Sequence, residues 1–270
     1  MKYSQLHTPK HLAINLGFTY ESGLPQRFAA IWQSLWLTSD DPQSEHLRAL
    51  TQAVITDQFP ATMTDVERSA MAIAIGAYWH QDLLEVRSRI FQLQDMGEAD
   101  IDELVLAYAI AYACRGKLQP PFFIQQICQD FSNRRSLSAT PTQQNHLLQQ
   151  LQSVQTLIDQ GASAIIAHDP HSKMHLSTSI ASSLYYFLST PHHWQLINKR
   201  TSRHSPLVAL QASAIAAAYL GHIPPHPNNF ATQLSTTIWQ EWIGVFNPTT
   251  SASSICPESS APPMTLSNLR

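Results

Sequence analysis

The 270 residues carry 16 Lys and Arg against 19 Asp and Glu, a formal net charge of −3, and only 13% of positions are charged. So weak a balance leaves no electrostatic footprint for nucleic acid or for an acidic membrane surface. Hydrophobic content of 44% with a mean hydropathy of −0.16 indicates a globular chain able to bury a sizeable core.

Glycine is rare, at 8 residues, and apolar positions recur at helical spacing with almost no alternation, so the chain reads as all-α with about eleven helices. The opening MKYSQLHTPKHLAINLGF has no long apolar run, so no secretory leader is expected. In LTSDDPQSEHLRALTQAVI, Ser39, Asp40 and Asp41 stand before Pro42 at a helix mouth. Two carboxylates and a hydroxyl suit a hard cation such as Mg²⁺. Asp41 as helix cap with Pro42 at the first helical position explains the same letters.

TDVERSAMAIAIGAYWH opens with Thr64 and Glu67 at capping-box spacing. EADIDELVLAYAIAYACRGK carries acids at its start and Arg115 and Lys117 at its end, matching the helix dipole. Next, PPFFIQQICQDF begins with prolines that a first helical turn tolerates. The polar stretch 131–143, broken at Pro141, predicts a loop between two halves of one bundle. Leu147, Leu151, Val154 and Ile158 then form one apolar stripe, with Gly161 where a C-terminal cap belongs.

HDPHSKMH gathers His168, Asp169, His171 and His175. His171 and His175 could share a helix face toward a transition metal, but Pro170 breaks the regularity and no thiolate joins them, so a surface loop explains the cluster. Further on, TSRHSPLVALQASAIAAAYLG reads as a polar turn, with Ser205 as cap and Pro206 at the first helical position, running into a helix of small residues that permits close packing. TQLSTTIWQEWIGVF predicts a last helix, and the Ser/Pro-rich 247–270 a disordered tail after a single domain over 1–246.

Neither a Gly-rich phosphate loop nor a G-x-S-x-G elbow occurs. The cysteines Cys114, Cys128 and Cys256 form no C-x-x-C pair, and the first two lie in apolar helices as small hydrophobes. The apolar runs near 104–114 and 206–220 are too short to span a bilayer. A cytoplasmic protein is expected, with no membrane or nucleic-acid partner. Trp32, Trp36, Trp239 and Trp242 are read as core aromatics that would mark a partner surface if exposed.

From residue 62 to residue 221 the order of segments resembles the ADP-ribosylglycohydrolase family. The resemblance runs through TDVERSAMAIAIGAYWH, DELVLAYAIAYACRGKLQP, LLQQLQSVQTLIDQGAS and STSIASSLYYFLSTPHHWQLINKRTSRHSPLVALQASAIAAAYLG. It implies an orthogonal all-α bundle that cleaves ADP-ribose from an acceptor, using two Mg²⁺ ions held by carboxylates on helix starts. In that family a G-D-x-D-[ST] turn precedes the late small-residue helix. Here His204 and Pro206 fall on its two aspartate positions and Leu207 on the hydroxyl position. Ser39, Asp40 and Asp41 match the letters of the family's N-terminal [ST]-D-D-T, with Pro42 in the last place.

The expectation is therefore a non-catalytic member of the family. It would need no cofactor and would bind a partner protein or an ADP-ribose-like ligand. The alternative is an active Mg²⁺-dependent hydrolase whose metal rests on Asp40, Asp41 and relocated acids such as Asp65 or Glu67.

Overall fold

The computed structural model describes residues 23–38, 44–56, 58–60, 62–94, 101–133, 141–169, 175–223, 236 and 238. These residues are all-helical and contain no strand: ten helices of eight residues or more and one four-residue helix. In chain order they are α1 (Leu24–Thr38), α2 (Ser44–Thr56), α3 (Asp65–Tyr78), α4 (Leu83–Gln94), α5 (Asp102–Cys114) and α6 (Pro120–Asn133). Then follow α7 (Pro141–Asp159), α8 (Ala164–Ala167), α9 (Ser179–Ser189), α10 (Trp194–Thr201) and α11 (Pro206–Leu220). No described helix is long and apolar enough to cross a membrane.

Past their first turns, three of these helices have no polar face, and such a helix must lie inside. In α11 every residue from 208 to 218 is buried, in α5 every residue from 104 to 114, and in α3 every residue from 69 to 78. α11 forms the hub, packed against α1, α3, α5, α9 and α10, while α3 lies along α5. The small side chains permit this closeness. Gly76 of α3 meets the backbone of Ala107 in α5 so tightly that a Cβ there would fall 2.4 Å from the Ala107 carbonyl oxygen.

One polar side chain sits in the middle of this core and is satisfied there. Gln211 of α11 donates through Nε2 to Ser69 Oγ at 2.9 Å, and its Oε1 accepts from Ser183 Oγ at 2.9 Å. The amide thereby ties α11 to α3 and α9, and its burial costs little because the polar atoms are paired.

Local signals settle most helix ends. Thr64 and Glu67 form the expected capping box at the start of α3. Gly161 and Gly221 both take left-handed backbone conformations, at φ 59° and 72°, just past α7 and α11. Ser205 occupies the N-cap position with Pro206 next, although its hydroxyl makes no capping bond. Acids do open α5, as Asp102 and Glu103.

Some expectations need correction. The loop read at 131–143 is shorter, since α6 continues to Asn133 and α7 begins at Pro141; a proline in the first turn starts a helix as readily as it ends one. Arg115 and Lys117 lie beyond the last turn of α5, Arg115 as its cap residue. On α7 the buried stripe is Leu147, Leu151, Val154 and Leu157, with Ile158 half-buried beside it. The TQLSTTIWQEWIGVF segment, except for 236 and 238, and the tail 247–270 lie outside the described residues.

A second basic side chain does at α5 what Arg115 was expected to do. Arg27 of α1 donates through Nη1 to the carbonyls of Ala113 at 3.0 Å, Ala218 at 2.7 Å and Tyr219 at 2.7 Å. The C-terminal ends of α5 and α11 therefore converge on one guanidinium, where the helix dipoles favour a cation.

Candidate functional site

The histidine-rich stretch and the polar turn before α11 meet in space. The short helix α8 ends at Ala167, and the Leu176 amide returns to donate to the Ala167 carbonyl at 3.0 Å. Gln150 of α7 fixes the returning strand of chain, donating to the His175 carbonyl at 3.3 Å and accepting from the Ser177 amide at 2.8 Å. Thr178 then caps α9, accepting from the Ala181 amide at 3.2 Å. This brings His168 over the C-terminal half of α9.

There His168 stacks on Tyr186 with ring centroids 5.6 Å apart and planes 24° from parallel. Its other neighbour is His204, from the turn before α11, at 4.0 Å and 33°. Tyr186 and His204 are themselves 6.1 Å apart, so the three rings form a triangle. Arg200 of α10 borders it, with its guanidinium carbon 5.1 Å from the Tyr186 ring and Nη1 donating to Ser189 Oγ at 3.0 Å. Tyr185 completes the base, its hydroxyl donating to the Ala162 carbonyl at 2.6 Å.

Burial pushes the proton affinity of His168 down, to a pKa of about 4, and the neighbouring His204 and His175 push the same way. His204 is lowered as well by the burial of its inner side. Tyr186 is raised by burial, which Arg200 partly opposes. At neutral pH His168 is therefore uncharged, and the burial of His204 favours its neutral form as well. His168 Nε2 and His175 Nδ1 are both shut away from solvent with no hydrogen-bond partner.

The sites expected from sequence fare differently. Ser39, Asp40 and Asp41 lie outside the described residues, as do His171, Trp239, Trp242 and Cys256. Around α11 the expected positions are visible: His204 is exposed on its outer side, Pro206 is exposed at the first helical position, and Leu207 is half-buried. None of these can present an anionic oxygen, so this corner does not fit a Mg²⁺ ion, which takes oxygen ligands. Among the described residues no group of three or more His, Cys, Asp or Glu side chains is placed to hold a metal.

Asp65 and Glu67 are already engaged. Glu67 accepts from the Thr64 amide and hydroxyl at 2.6 and 2.8 Å, and Asp65 pairs with Arg68. Cys114 is buried and raised to about 12 by that burial, so it is no nucleophile; Cys128 is half-buried and raised too. Trp32 is buried and Trp36 half-buried, so neither tryptophan forms an outward patch.

A further titratable group lies apart from this corner. His80 follows α3, packs edge-on to Phe28 at 6.0 Å, and donates from Nδ1 to the Ala77 carbonyl at 2.8 Å. Its Nε2 is buried with no partner. Burial lowers its pKa to about 4, and Arg115 adds to the effect. The unfolded chain takes up this proton near the ordinary value of 6.5, so the stabilisation is complete above that pH and is lost as pH falls towards 4. Urea unfolding should show roughly 2 kcal/mol less stability at about pH 5 than at about pH 7.5 from this group alone. His80→Leu should remove that share of the acid slope; an identical slope in the variant would refute the assignment.

No family model, no curated protein and no solved structure matches the chain.

Proposed function

We propose that the chain is a non-hydrolysing relative of the ADP-ribosylglycohydrolases that acts by binding a partner protein or an ADP-ribose-like ligand. The observation carrying this reading is the start of α11. The two positions that should hold aspartates carry His204 and Pro206, and the next position carries Leu207. A centre of two Mg²⁺ ions deprived of this edge loses several oxygen ligands together, which no single relocated residue restores. The order of small-residue helices supports the relationship, since α3, α5 and α11 form the buried centre.

The active alternative needs acids that are free to turn toward a metal. Its two candidates on α3, Asp65 and Glu67, are bonded to Arg68 and Thr64 at the helix start instead. What stacks at the α11 turn is a set of neutral rings beside a guanidinium, a surface suited to contact rather than to activating water.

The deciding experiment pairs turnover with titration. The purified chain, incubated with an ADP-ribosylated protein and Mg²⁺, should release no ADP-ribose above background, while calorimetry with ADP-ribose reports whether it binds. Clear turnover abolished by Asp40→Ala or Asp41→Ala would establish the hydrolase and overturn the proposal.

A further inference from the structure

The triangle of His168, Tyr186 and His204 does more than fill space. It is the ring contact between the end of α8, the C-terminal half of α9 and the turn that starts α11. Two imidazoles lie tilted by 33° with centroids 4.0 Å apart, a separation that tolerates neutral rings and opposes two charged ones. We propose that this stack is a proton-controlled clasp: neutral, it holds the end of α8 on α9 and the α11 turn; protonated, it lets go.

Apart from the exposed carboxylate of Asp169, the groups facing it carry positive charge or none. From α9 come Tyr185 and Tyr186, and from α10 Arg200, half-buried over both phenol rings. Exposed Lys199 and Arg203 flank the same turn. From the chain after α8 comes His175, and from α7 His146, whose Nε2 lies 3.4 Å from Ser177 Oγ. Asp169, the neighbouring carboxylate, is exposed, while His204 and His175 both act against a charge on His168. A proton on His168 therefore meets other cations and a buried Nε2 with nothing to accept its hydrogen. Release of the ring into water satisfies it.

The clasp requires a particular sign. Opening returns His168 to ordinary proton affinity near 6.5 from about 4, so the open form gains population as pH falls between those values. Above about pH 7 the linkage is silent. By about pH 5 the opening equilibrium should rise on the order of tenfold, a figure discounted because the residue is only half-buried. This does not depend on any relationship to the hydrolases, and the test uses no nucleotide.

Peptide-resolved hydrogen exchange on the full chain, expressed as protection factors, reads the effect. Amides of 164–169 and 176–188 should lose protection about tenfold between about pH 7.5 and 5 while those of α5 hold. His168→Phe, which keeps a flat ring without a titrating nitrogen, should retain the pH 7.5 protection at pH 5. Should that variant fold poorly, ring-proton resonances of the unaltered chain serve instead: His168 should remain neutral at pH 6. Constant protection down to pH 5, parallel loss in His168→Phe, or an ordinary titration of His168 near 6.5 with the contact intact would each overturn the clasp.

Discussion

Gly76→Ala is expected to destabilise the protein by about 3 kcal/mol, even though alanine is the better helix former by about 1 kcal/mol at an open position. The added Cβ would fall 2.4 Å from the Ala107 carbonyl oxygen and 2.9 Å from its Cα, and both atoms are backbone. No rotamer relieves such a contact, so α5 must retreat from α3. Retreat is costly because α5 is also packed against α4, α9, α11 and α1, and buried along its length from 104 to 114. Urea denaturation followed by circular dichroism measures the loss. The double variant Gly76→Ala with Ala107→Gly should recover nothing, because trimming the Ala107 side chain leaves its backbone in place. An unchanged midpoint for the single variant would mean that the helices are not in contact at this point.

The sequence was legible wherever the cause of structure is local. Thr64 with Glu67, Pro206 and Gly161 each act within a single turn, so the starts of α3 and α11 and the end of α7 follow from neighbouring letters. The apolar runs of α5 and α11 also announced burial, because no face of either helix is polar. Proline at 141 was ambiguous by nature, since the same ring terminates a helix or begins one.

What stayed hidden was the meeting of distant residues. His168 and His204 are 36 positions apart in the sequence, (204 − 168), and nothing in HDPHSKMH or TSRHSP indicates that their rings share a face. The histidine stretch looked like a loose surface loop, yet His168 is half-buried on Tyr186. Gly76 was equally silent, because a helical glycine in an alanine-rich run reads as one more small residue. The α11 turn was the exception: the absence of acids at 204, 206 and 207 was readable directly, since no packing can supply an oxygen that the side chain lacks.

The guanidinium of Arg27 is the second position where a large effect is expected. A single nitrogen, Nη1, lies within 3.0 Å of three carbonyls belonging to the ends of α5 and α11. Nη1 carries only two hydrogens, so one of them is shared, and counting three independent bonds would overstate the gain. Two charge-assisted bonds to partly buried carbonyls are still worth about 3 kcal/mol, because Arg27→Met removes the cation from both helix ends and leaves Ala113 only its backbone bond from the Gly116 amide. Local geometry adds to the dependence: the Arg27 Cγ would lie 3.3 Å from a Cβ at Gly221, so the arginine stem is packed on the very turn it caps. Arg27→Lys should recover only part of the loss, since one ammonium on a flexible stem cannot reproduce the planar fork. Because both helix ends depend on one group, hydrogen exchange in Arg27→Met should quicken around residues 113–118 and 218–221 together. If only one end frayed, or if urea midpoints for the methionine and lysine variants matched that of the unaltered chain, the shared clamp would be refuted.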